Sequence, residues 1–191
     1  AQEGLGGPPH QRHLHGLPIR QRTPHRHLMI AGPDLQPELV VLAAQRRKQV
    51  AKELFLQFWN VPAGDVRRTR DGIYTASIVG PPGMRVQIVL LDVRWFRSPL
   101  KPTDQRGAPG KERYLPDPDP AKTMLGVEQW QWLAAELRKP AELRLIVSST
   151  QVLAEGHGWE RWGNFPLERQ RLIDTIRDSG AKGVVLLSGD R

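Results

Sequence analysis

The order helix, strand, helix, strand between about residues 126 and 188 constrains the fold of this chain more than any other feature. In "TMLGVEQWQWLAAELRKP" the spacing predicts a helix over about 127 to 138, with Trp130, Leu133 and Leu137 on one face and Pro140 as its stop. "LRLIVSST" follows as a β-branched, aliphatic strand. Pro166 then starts a second helix, "PLERQRLIDTIRDSG", with Leu172, Ile173 and Ile176 facing inward and Gly180 closing it. The run "GVVLLSG" is the last strand. Parallel strands joined through helices need right-handed crossovers and a sheet that helices cover, so the class is α/β, a layered sandwich with a parallel or mixed sheet.

Upstream, "GIYTASIVG" and "MRVQIVLLDVRWF" flank Pro81-Pro82-Gly83 and read as two antiparallel strands around a tight turn. "QVAKELFLQFW" places Val50, Leu54, Phe55 and Phe58 on one helical stripe, ended by Asn60 and Pro62. Residues 35 to 45 suit a short helix of their own. Residues 97 to 123, rich in Pro, Gly and charge, read as a long surface loop.

The 191 residues suit one domain, and 39% hydrophobic residues with six Trp are enough for a core. The formal charge of +8 is concentrated at the front: residues 1 to 48 hold seven Lys/Arg against three acids. The remainder is ordinary for a soluble domain. With no Cys there is no disulfide framework, thiolate metal site or Cys nucleophile. No apolar run reaches the ~20 residues that span a bilayer.

Residues 1 to 34 have neither helical nor strand periodicity, and their composition buries too little apolar surface to offset ordering. Residues 1 to 48 therefore read as an atypical His/Arg/Pro/Gly-rich tail, disordered or translated from another frame, and 49 to 191 as the folded part. The imidazoles of His10, His13, His15, His25 and His27 have a spacing that suits a divalent ion, set against a tail with no specific ligand. Arg12, Arg20, Arg22 and Arg26 suit phosphates, but the tail lacks aromatic residues for stacking, so no specific nucleic-acid binding is expected.

From Val50 to Arg191 the chain resembles the alkaline phosphatase D (PhoD-like) family of the calcineurin-like metallophosphoesterases. The resemblance rests on "LLDVRWFR", "LGVEQWQWL", "WGNFPLER" and "LSGDR", in that order. It implies an incomplete α/β/β/α sandwich with a mixed sheet flanked by helices. It also implies hydrolysis of phosphate monoesters and diesters by metal-activated water, with divalent or trivalent ions of the Ca, Fe, Mn or Zn type held by oxygen and nitrogen ligands. Export to the periplasm or beyond is a further implication; the resemblance implies no particular oligomeric state. The family's early metal motifs find no counterpart in residues 1 to 48, and its His two residues after the SGD Asp would fall just past Arg191. The expectation is thus a fragment of a phosphoric ester hydrolase, inactive by itself, or a remnant without catalysis.

Among individual residues, Asp190 is the expected metal ligand. Asp92 and Arg94 end a strand, where an Arg can meet a phosphate oxygen in bidentate fashion or an Asp-Arg pair can fix the loop start. His157 is a candidate proton donor, set against a solvated His between glycines. Trp162 and Asn164, with Trp159 and Phe165, either line a substrate pocket rim or pack their loop onto the sheet. Ser148 and Ser149 end a strand but have no base nearby in sequence. Glu128 and Arg169 read as helix-surface residues.

Overall fold

The computed structural model describes residues 37–189. Three helices in these residues are α1 (Pro37–Phe58), α2 (Gly126–Leu137) and α3 (Pro166–Asp178). The strands are β1 (Thr75–Val79), β2 (Val86–Leu90), the two-residue β3 (Lys101–Pro102) and β4 (Tyr114–Leu115), β5 (Leu143–Ser148) and β6 (Val184–Ser188). The mixed α/β class is as the sequence predicts.

The four long strands form one sheet in the order β1-β2-β5-β6. β1 and β2 are antiparallel, with Thr75 opposite Leu90 and Val79 opposite Val86. Their turn is closed by the Met84 N–H donating to the Pro81 carbonyl at 3.0 Å, with Gly83 at φ 90. That is the type II geometry in which a residue without Cβ takes the third position. β2, β5 and β6 run parallel, α2 lying between β2 and β5 in sequence and α3 between β5 and β6.

Strand alternation sorts the sheet into two faces. One carries Val89, Ile146 and the half-buried Val184 and Leu186, packed with Trp130, Leu133 and Leu137 of α2 and Leu172 of α3 into the core. The two helical stripes read from the sequence therefore do face the core, with Leu133 and Leu172 at 0% exposure, except that Ile173 is only half-buried and lies outside the core cluster, which takes Leu172 and Ile176 from α3. The opposite face carries Val86, Ile88 and Leu90 of β2, Leu143, Leu145 and Val147 of β5, and Val185 and Leu187 of β6. Leu90, Leu143, Val185 and Leu187 are exposed there.

The stripe predicted for the first helix is corrected. Val50, Leu54, Phe55 and Phe58 are all exposed, whereas Leu56 and Lys52 are buried. The helix docks by Leu56, and Lys52 goes inward because its ammonium reaches the Arg70 carbonyl at 2.5 Å and lies 5.4 Å from the Trp95 ring centroid. α1 is also one helix through residues 45 to 49, not a short helix followed by a second. Residues 97 to 123 are less irregular than expected, since β3 and β4 pair as Lys101 with Leu115 and Pro102 with Tyr114.

Candidate functional site

The three parallel strands deliver their carboxyl ends to one edge of the sheet, where open α/β sheets place ligands. β2 runs into Leu91-Asp92, β5 ends at Ser148 and continues as Ser149-Thr150, and β6 ends at Ser188 before Gly189. The Leu91 N–H donates to the Val147 carbonyl at 2.9 Å and the Gly189 N–H to the Ser148 carbonyl at 3.4 Å, so the three ends stay in register beyond the strands.

Asp92 is a turn-maker. Its Oδ1 accepts from the Arg94 N–H at 3.0 Å and the Trp95 N–H at 2.9 Å, and its Oδ2 from the Ile73 N–H at 2.9 Å. A carboxylate satisfied in this way fixes the backbone after β2. Gln129 of α2, fully buried, grips the same peptide from the other side. Its Oε1 accepts from the Asp92 N–H and its Nε2 donates to the Asp92 carbonyl, both at 2.8 Å. Of the two readings weighed for Asp92, the geometry gives the one that fixes the loop start, though Arg94 takes its charge partner elsewhere. Arg94 Nη1 lies 2.8 Å from Glu160 Oε1, and Arg97 Nη1 lies 2.6 Å from the same oxygen.

Glu160 belongs to the loop that also carries His157. The His157 Nδ1 accepts from the Trp159 N–H at 3.2 Å, and its Nε2 lies 2.9 Å from Gln151 Oε1. Both ring nitrogens are thus engaged within the loop and its Gln151 neighbour. The loop is tied down by Glu112, whose carboxylate accepts from the Gly158 N–H, while the Arg113 and Tyr114 N–H groups donate to the Gly158 carbonyl. Backbone N–H donors, its own first and that of Gly158 next, hold the Glu112 carboxyl below the usual range. A Cβ at Gly158 would stand 2.5 Å from the Glu112 nitrogen, so the close approach of the two loops requires glycine there.

The structure places Trp162 in the core instead of at a pocket rim. It is at 0% exposure, its Nε1 donates to Ser148 Oγ at 2.9 Å, and its ring meets Trp130 edge-on at 6.3 Å. A large ring with one polar handle, given a buried hydroxyl, is more stable inside than at the surface. Asn164 is also buried, its Oδ1 accepting from the Arg161 N–H at 2.7 Å within the short helical turn Trp162–Asn164. Ser148 Oγ in turn donates to the Thr150 carbonyl at 2.7 Å and accepts from the Thr150 N–H at 3.3 Å, so with the Trp162 indole the hydroxyl is engaged three times, which leaves it no role as a nucleophile. Of the predicted set, Asp92 and Arg94 stand together at the edge, with Glu160 bringing in the His157 loop. Asp190 and the tail imidazoles lie outside the described residues.

A cavity of about 390 Å³ opens between α1 and the end of β2. Lys48, Lys52 and Phe55 form its helical wall, and Asp92, Arg94 and Trp95 its strand-end wall. Sequence reasoning missed Lys48 and Lys52, because a lysine on an amphipathic helix reads as solvated. It also missed Gln129 and Glu168, and here a signal exists: both are polar residues at helical spacing from core positions, which asks for a buried partner.

Among the described residues no three His, Cys, Asp or Glu side chains gather as a metal set. The one carboxylate at the end of β2 is already engaged by backbone N–H groups, so the described residues do not fit a metal cluster by themselves. Nor is any helix among them long and apolar enough to cross a membrane.

A family model described as PhoD-like phosphatase matches residues 38–191. The match begins ten residues before the point, near residue 48, where the sequence changes character. Alkaline phosphatase D of Bacillus subtilis (strain 168) is 26% identical over 110 residues, which are 53% of this chain and 18% of that protein. The chain therefore spans under a fifth of the relative it matches. No solved structure is significantly similar.

Proposed function

The chain belongs to the PhoD-like phosphatase family, and from that premise we propose that it is part of a phosphoric ester hydrolase acting on phosphate monoesters or diesters. In this reading the enzyme is metal-dependent and exported, and Asp190, itself outside the described residues, is the metal ligand this chain contributes. Bound ions would supply a nucleophilic oxygen near neutral pH. The observation that carries the reading is the family match over 38–191, and what supports it is that Asp92, Ser149 and Gly189, next to Asp190, meet at one sheet edge.

The described residues contribute position and charge. Asp92 and Gln129 hold the β2 end rigid, which fixes where Arg94 begins. Glu160 draws the Arg94 and Arg97 guanidiniums together. Two fork-shaped cations beside a strand end suit a phosphoryl group's oxygens.

The test is hydrolysis of bis-p-nitrophenyl phosphate and p-nitrophenyl phosphate. The 191-residue chain by itself is expected to turn over neither. Residues 38–191, grafted over the matching segment of the Bacillus relative, are expected to give turnover that a chelator abolishes and that Asp190→Asn lowers by about 10- to 100-fold or more. A folded graft without turnover would favour the other reading, a remnant without catalysis.

A further inference from the structure

The cavity under α1 combines two kinds of wall. Phe55, Ile73, Leu91, Val93 and Trp95 give it an apolar body. Lys48 and Lys52, one helical turn apart on α1, put two ammoniums on the same side. Lys52 is only 8% exposed. Its ammonium has a carbonyl oxygen of Arg70 and the face of Trp95 as partners, and Lys48 has the Trp95 carbonyl at 2.6 Å. Neither lysine forms an ion pair with a carboxylate among the described residues. The nearby Asp92 carboxylate is turned to three backbone N–H groups.

A cation buried this far normally has an anion beside it, because a carbonyl dipole offsets only part of the lost hydration. Each ammonium carries three protons and gives one to a carbonyl, so both keep donors for a further acceptor. We propose that the cavity binds an anion that carries an apolar or aromatic group, the anionic head at Lys48 and Lys52 and the ring between Phe55 and Trp95. Identifying that anion as the phosphate ester whose hydrolysis is proposed above rests on that reading; the anion-and-ring site does not.

The experiment titrates the 191-residue chain with phenyl phosphate, inorganic phosphate and phenol, following Trp fluorescence and ligand NMR line widths. Phenyl phosphate is expected to bind about tenfold or more tighter than either half alone, the order expected for burying a phenyl ring beside a paired charge. Ala51→Phe, at an exposed helix position on the cavity wall, fills the space without touching the core and is expected to remove that advantage. Lys48→Gln is expected to weaken phenyl phosphate and leave phenol unchanged. Equal binding of phenyl phosphate and inorganic phosphate, or an advantage that survives Ala51→Phe, overturns the proposal. If the graft hydrolyses nothing while phenyl phosphate still binds here, the hydrolase reading falls and the cavity site stands. If the graft hydrolyses and phenyl phosphate shows no advantage, the reverse holds.

Discussion

Glu168 Oε2 collects three donors from three places: the Thr123 hydroxyl at 2.9 Å, the Met124 N–H at 2.6 Å and the Trp130 indole N–H at 2.9 Å. Arg171 Nη1 lies 3.4 Å from its other oxygen, and its guanidinium sits 4.5 Å from the centre of the Trp130 ring. One carboxylate, 6% exposed, thus ties the start of α3 to the start of α2. Removing it leaves buried donors without a partner, which costs more than a typical hydrogen bond contributes. Glu168→Ala is expected to destabilise the fold by about 2 to 4 kcal/mol, and Glu168→Gln, which keeps one acceptor, by about 1 kcal/mol. Urea unfolding followed by Trp fluorescence measures both, and equal losses for the two would refute the acceptor account. Gln129 works in the same manner on the β2 end. Both residues lie in the stretches that carry the family resemblance, and in this structure their visible work is to hold backbone, not to touch substrate.

At the level of elements, α2 and α3 were legible because each shows one apolar stripe with its ends marked. Pro166 sits at the first turn of α3, and Gly180 takes φ 69 just past its end. The β1-β2 hairpin was legible from its Pro-Pro-Gly turn. α1 was read as a helix but with the wrong face inward, since its apolar residues outnumber those the core accepts, and spacing gives a stripe without saying what lies opposite. The lysines decided the orientation, through carbonyl partners that no local pattern reveals. The two faces make opposite predictions. Leu56→Ala, at 0% exposure, is expected to cost about 2 to 4 kcal/mol. Phe58→Ala, at 76% exposure, is expected to stay within about 0.5 kcal/mol although it removes the larger side chain. Chemical denaturation of the two variants ranks them, and a larger loss at Phe58 would restore the orientation that the periodicity alone suggests. The site was legible in part for the same reason. Strand ends are visible in sequence, so Asp92 and Arg94 were found, whereas Glu160 meets Arg94 only through a loop held by Glu112 and Gly158.

For the whole molecule, the decisive asymmetry is between the two faces of the four-stranded sheet. The face under α2 and α3 holds the core; the other is aliphatic from β2 through β6, with Leu90, Leu143, Val185 and Leu187 between 37% and 43% exposed. Edge strand β6 presents Val185 and Leu187 beside backbone groups with no neighbour on one side among the described residues. An apolar sheet face meeting an unpaired edge is a template for association. The hydrophobic gain scales with the aliphatic area removed from water, so a second chain, having the same face, is an available cover at high concentration. The 191-residue chain is therefore expected to self-associate with concentration and to bind a hydrophobic dye. Val185→Lys with Leu187→Lys is expected to shift sedimentation toward monomer and reduce dye binding, with little change in unfolding midpoint, because both side chains point away from the core. If the unmodified chain sediments as a monomer throughout and binds no dye, residues outside the described region already cover this face. If the double variant unfolds early, those residues are packed and not exposed. Either result would relocate the boundary between this chain's core and its surroundings.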